Sequence, residues 1–212
     1  MSKTRLEAFT DAIIAIIMTI LVLELRPPDG FTAIDIYDLR YEFIVYAVSF
    51  VTLAIYWMNH HNLFQKVSKI DNTVLWLNTL LILPMSLFPF TTAWLNINIT
   101  KMAPNQLYGA ILIVTDLIYF ALVRHLKKIH QNEGKMERLD GTHRSEITIA
   151  IIAAGIIIGI WFPPAVLITC VGSLLFWISP DEQIYSQPIH LIHKGIKWCW
   201  RKVCTIGGTN KS

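Results

Sequence analysis

The chain has 212 residues, 54% of them hydrophobic and only 16% charged, with a mean hydropathy of +0.49. A soluble domain is about 45–50% apolar and about 25% charged, so lipid rather than water is the expected solvent. The net charge of +3 is small and the basic residues sit beside apolar runs, which argues against a nucleic-acid-binding surface.

The first apolar element is "RLEAFTDAIIAIIMTILVLEL", Arg5 to Leu25. It starts basic like a signal peptide, but Glu7 and Asp11 precede its core and no small-x-small cleavage site follows, so a retained helix is expected. At about 100° per residue, Ile13, Ile16, Ile20 and Leu23 form one stripe with Thr19 on its flank. Asp11 falls roughly 140° from Ile16. Such an Ile/Leu stripe is commonly a packing seam, and around a symmetry axis it is also able to form a constriction; periodicity alone leaves both open. An ionisable residue in a membrane helix is costly unless partnered. The expected partners of Asp11 are Arg5 and one of His60 and His61, because neighbouring positions on a helix point apart. A metal site there is the sharper alternative, but no further Cys or carboxylate converges by spacing.

The next segment, "RPPDGFTAIDIYDLRYE", carries Asp29, Asp35, Asp38 and Glu42. With Glu24 it forms an acidic collar, read either as a solvated loop or as a weak cation attractor at a pore mouth. Further spans are expected at about Phe43–Leu63, Thr73–Leu95, Leu107–Leu126, Ile147–Trp161 and Pro163–Ile178, each near the roughly 20 residues a bilayer needs. The last two are short and are split by "WFPP", where the prolines predict a tight hairpin, read either as two spans or as a re-entrant pair that does not fully cross. "GIIIG", Gly155 to Gly159, matches a small-residue helix-packing motif. "TCVGS", Thr169 to Ser173, lies within an expected helix and reads as packing rather than as a filter loop.

Six spans with an inner N-terminus place every Lys and Arg on the inner side except Arg26, Arg40 and Lys101. Both termini are therefore expected in the cytoplasm. The tail "IHLIHKGIKWCWRKVC" suits an amphipathic helix lying on the inner leaflet. Cys170, Cys199 and Cys204 show no C-x-x-C or zinc spacing and read as reduced thiols. The expected organisation is thus a transmembrane part, residues 1–180, and a cytoplasmic amphipathic tail, residues 181–212. No nucleophile–base pair, Gly-rich phosphate loop or metal cluster suggests an enzyme.

Three blocks carry a family likeness. "RLEAFTDA", Arg5 to Ala12, resembles the R-x-x-x-F-S-D-[GA] signature of the endosomal–lysosomal potassium channel family, in its single-repeat bacterial branch. "YWMNHHNLF", Tyr56 to Phe64, resembles that family's second helix. "LWLNTLLILPMSLFPFTTAWL", Leu75 to Leu95, resembles its third, with Trp76, Asn78, Pro89 and Thr91 at the characteristic places. The later helices agree mainly in hydropathy. Thr10 stands where Ser is usual, Ala12 where Gly is commoner, and Ile20 where Leu is frequent.

The resemblance implies an all-α integral membrane protein, six transmembrane helices per subunit, and a homotetramer whose first helices line a central pore. It implies a channel for potassium and other monovalent cations in a bacterial cell membrane, with no cofactor beyond the permeant ion. Carried over by position, Ile16, Ile20 and Leu23 narrow the pore and Thr19 is its polar residue; on the charge pattern, Glu24 would lie at the mouth of such a pore. Arg5, Phe9, Thr10, Asp11, one of His60 or His61, Trp76 and Asn78 hold the first helix. The pore needs no filter loop, and its selectivity would come from partial dehydration at the apolar ring. Two other classes compete: a proton-coupled transporter using Asp11 and a histidine as relay, and a membrane scaffold without transport.

Overall fold

The computed structural model describes residues 2–130 and 141–178, and every regular element among them is helical. The chain divides into two compact units, Met1–Leu175 and Phe176–Ser212. The tail from residue 181, with Cys199 and Cys204, lies outside the described residues.

Helix α1 runs Lys3–Leu23. The Ser2 hydroxyl accepts the Arg5 N–H, covering one of the unpaired donors every helix start leaves. The helix stops before Pro27 and Pro28, and the Glu24 and Leu25 amides turn back to Leu21 and Val22. A short helix α2, Ala33–Asp38, breaks the following loop. The Asp35 carboxylate accepts both the backbone N–H (2.8 Å) and the hydroxyl of Thr32. These bonds, the hydroxyl's first, hold the Asp35 carboxyl below its ordinary acidity range. Arg40 then stacks over both Tyr37 and Tyr41, 4.6 Å from each ring, and opens α3, Arg40–Gln65.

The expected third span is one rod of two helices, α4, Asn72–Ser86, and α5, Phe88–Ile97, broken at Leu87. Pro89 withholds the amide hydrogen that would reach the Met85 carbonyl across the break, and Pro84 already withholds one from the last turn of α4. Hydroxyls cover carbonyls around it: Ser86 donates to Leu83, and Thr91 to Leu87 and Phe88. Asp71 caps α4, accepting the Val74 N–H at 2.8 Å. Helix α6, Met102–Ile129, has Pro104 in its first turn, where a missing donor costs least. Asn105 closes that turn with bonds of 2.8 Å to the Ile99 and Lys101 carbonyls.

Helices α7, Gly141–Ile158, and α8, Ala165–Ile178, follow, joined by the expected Pro163–Pro164 turn. A Cβ on Gly159 would stand 2.8 Å from Val166 and one on Gly155 would strike Thr169, so the two ends of "GIIIG" both face α8 of the same subunit. "TCVGS" is helical within α8, and Cys170 is a buried free thiol.

Four rods among the described residues are long and apolar enough to cross a membrane: α1, α3, α4 with α5, and α6. The apolar parts of α7 and α8, Ser145–Ile158 and Ala165–Leu174, are shorter. Helix α1 packs on α3, α4 and α5, while α6 packs on α4, α5 and α7.

Candidate functional site

The polar centre of the bundle forms where α1, α3 and α4 meet, near the starts of α1 and α4 and the end of α3. Asn78, fully buried on α4, uses both halves of its amide. Its Nδ2 donates to Thr10 Oγ1 at 2.8 Å, and its Oδ1 lies 2.7 Å from His60 Nε2. Because Oδ1 only accepts, His60 Nε2 carries the hydrogen. The Thr10 hydroxyl passes its own hydrogen to the Leu6 carbonyl at 3.0 Å. Three helices are thereby tied by one side chain with no charge on it, an arrangement suited to lipid, where unpaired polar groups are expensive. His60 also stacks on Phe64, with ring centres 4.4 Å apart.

A second contact lies on the outer side of the same helices. Asp11 Oδ1 accepts the Trp57 indole N–H at 3.0 Å, and Trp57 stacks on His61. The two histidines thus divide as helix geometry requires, His60 buried in the Asn78 bridge and His61 exposed, 3.4 Å from Gln65. Arg5, Phe9 and Trp76 are exposed, and no ion pair joins Arg5 to Asp11. Asp11 and His60 make no hydrogen bond to each other, so a direct relay between them is not built here.

The α1 stripe is split from the subunit core. Leu6, Thr10, Ile14, Ile17 and Leu21 are at most 4% exposed, whereas Ile16, Ile20 and Leu23 are 56%, 39% and 78% exposed. Ile13 lies between these extremes, and Glu24 is half-buried. Thr19 is exposed, and its hydroxyl donates back to the Ile16 carbonyl at 2.7 Å, which leaves its oxygen lone pairs facing outward.

Several polar residues outside the expected set sit deeper. Ser49 of α3 bonds Tyr108 of α6 (3.0 Å) and accepts from Thr92 of α5 (2.8 Å). Tyr56 donates to Asp116 Oδ1 at 2.6 Å, joining α3 to α6. The rule that singles out Asp11, an acid inside an apolar run, applies with more force to Asp116 in "AILIVTDLIYFALV". At the other edge, His130 Nε2 accepts the Ser68 and Lys69 amides at 3.2 Å each, while Nδ1 donates to Leu126. His125 bonds Asp71 at 2.8 Å. The Val74 amide first, then His125, holds the Asp71 carboxyl below its ordinary value. Among the described residues no group of three or more metal-ligating side chains converges.

A bundle of long apolar helices with a charge-free polar tie at one end has the architecture of an integral membrane protein. Residues 5–89 match the family described as Endosomal/lysosomal potassium channel TMEM175. A potassium channel of Chryseobacterium sp. (strain P1-3) is 34% identical over 185 residues, covering 87% of this chain and 96% of that one. A potassium channel of Streptomyces collinus is 30% identical over 134 residues, 58% of this chain and 64% of its own. The crystal structure of a lysosomal potassium-selective channel TMEM175 homolog from Chamaesiphon minutus superposes with a TM-score of 0.63. It is 21% identical, covers 84% of this chain and 98% of that chain, and shares the fold. The chain belongs to the TMEM175 potassium channel family, an integral membrane family of ion channels rather than of enzymes.

Proposed function

We propose that four copies of this chain surround a central pore, with α1 of each facing the axis, and that potassium passes in preference to sodium. The single observation that carries this reading is the exposure of Ile16, Ile20 and Leu23 on a helix whose opposite side is sealed into its own subunit. The same residues form the stripe read from periodicity. The names of the Chryseobacterium and Streptomyces relatives agree with potassium as the ion.

In this reading the apolar side chains narrow the pore until an ion sheds part of its water. Potassium holds its water less tightly than sodium, so it enters at lower cost, with weaker discrimination than a carbonyl filter gives. Thr19 oxygen replaces part of the lost shell. A ring of Glu24 concentrates cations at the mouth. The Thr10–Asn78–His60 tie, with the Asp11–Trp57 contact outside it, braces α1 against α3 and α4. Small rotations of α1 against that brace open or close the ring. The subunit spans the bacterial cell membrane six times through residues 1–180, with both termini and the 181–212 tail cytoplasmic.

Planar-bilayer recording from purified protein tests the reading. Cation current with potassium favoured over sodium, and a changed ratio in Ile20→Ala, is the expected result. Absence of current, or equal passage of potassium and chloride, overturns it. The mass of the detergent-solubilised particle tests the fourfold assembly separately.

A further inference from the structure

We propose that Asp116 is a proton-binding site inside the subunit, holding its carboxyl as the neutral acid and joining α3 to α6 through Tyr56. The proposal stands apart from the pore, since Asp116 lies midway along α6 and is 4% exposed, facing the subunit interior rather than the bare side of α1.

The geometry carries it. Oδ1 accepts from the Tyr56 hydroxyl at 2.6 Å, and Oδ2 is buried with no hydrogen-bond partner. Among the described residues no Lys, Arg or His forms an ion pair with Asp116. A carboxylate in an apolar interior needs a cation or several donors, and here it has one neutral donor. A neutral acid needs far less: one oxygen takes the Tyr56 hydrogen and the other carries the proton.

The surroundings supply no competing charge. On α6 the titratable neighbour is the buried Tyr119, and on α8 it is the buried thiol of Cys170. Helices α4 and α5 carry no titratable side chain, and α7 has none from Ile147 to Ile158. On α3 the nearest ionisable groups along the helix are Tyr56 itself and His60, and His60 is engaged with Asn78. Loss of the proton would leave an anion with a single donor. Water would have to enter, or α3 would have to part from α6. Helix α3 also carries Trp57 and His60, so that parting reaches the brace on α1.

Infrared spectroscopy of the lipid-reconstituted full chain, grown with heavy-carbon aspartate, tests the site. At neutral pH the wild type should show the carbonyl stretch of a protonated aspartic acid, shifted by the label and lowered in heavy water. Asp11→Asn should retain that band, and Asp116→Asn should lose it. Should Asp116→Asn fail to accumulate, Asp116→Glu should replace the labelled band with an unlabelled acid band. No protonated-acid band in the wild type, a band surviving Asp116→Asn, or a band lost in Asp11→Asn overturns the proposal. A labelled carboxylate band that moves when potassium replaces sodium and that Asp116→Asn removes also overturns it, in favour of a bound cation. As a second readout, the thermal stability of the wild type relative to Asp116→Asn should be greatest in acid, fall as pH rises above the ordinary carboxyl value of about 3.9, and level off once the folded carboxyl has lost its proton. A constant difference between the two proteins across pH counts against the proposal.

Discussion

On one side of α1, Leu6, Thr10, Ile14, Ile17 and Leu21 are closed in by the other helices; on the other, Ile16, Thr19, Ile20 and Leu23 stand open. Each side is aliphatic with one threonine: Thr10 on the closed side bonds to Leu6 and to Asn78 of another helix, while Thr19 on the open side bonds only back to Ile16 of its own. In a water-soluble helix the open side would be polar. Lipid accepts an aliphatic face without penalty and rejects an unpaired hydroxyl, so here the polar contact goes inside. The comparison separates two jobs on one helix, since each side is answerable to different substitutions.

Leu21→Ala, on the closed side, should have the largest effect on stability. A core Leu→Ala change costs about 2–5 kcal/mol in soluble proteins, and the lower end applies because only packing is lost in lipid. Denaturation by a harsh detergent, followed by circular dichroism, reads it. Asn78→Leu should come next at about 1–2 kcal/mol, since it orphans the buried His60 Nε2–H and withdraws a donor from Thr10. If it is harmless, the tie does not hold α1.

Asp71→Ala tests how far the closed side depends on the start of α4. Loss of the cap should cost about 1 kcal/mol at neutral pH. Because the folded Asp71 carboxyl lies below its ordinary 3.8, its contribution is present above that pH and disappears as pH falls through the lower folded value. The mutant penalty should therefore shrink in strong acid, as a pH series of unfolding curves would reveal. Smallest in stability is Ile20→Ala, within about 0.5 kcal/mol for an open position. Its effect should appear in ion discrimination instead. A stability loss as large as that of Leu21→Ala would erase the distinction between the two sides.

The apolar rods were legible because a bilayer demands long unbroken runs, and α1, α3, α4 with α5, and α6 all supply them. The "WFPP" turn was legible because proline chemistry is local. The break at Leu87 was not, since hydropathy runs through Pro84 and Pro89 without a pause. Thr10 and Asn78 were reachable through resemblance alone; 68 positions separate them, and no spacing rule links one helix to another. The choice between His60 and His61 depended on which side of α3 faces α4, a fact of packing. His130 escaped for a related reason, because its partners Ser68 and Lys69 are about 60 positions away; Asp116 was open to the rule that singled out Asp11, and only its partner Tyr56, 60 positions away, was not. Arg5 and Trp76 match the family blocks, yet their surroundings within one subunit are open.

Hydrocarbon tails solvate Ile16, Ile20 and Leu23 as readily as neighbouring protein would, so exclusion from water gives these side chains no reason to cluster. Association through that face would draw on close fit and on the freedom regained by displaced lipid. The strength of any such union is then a property of the surrounding bilayer as much as of the chain, and a change of lipid or detergent should shift it without touching a single residue.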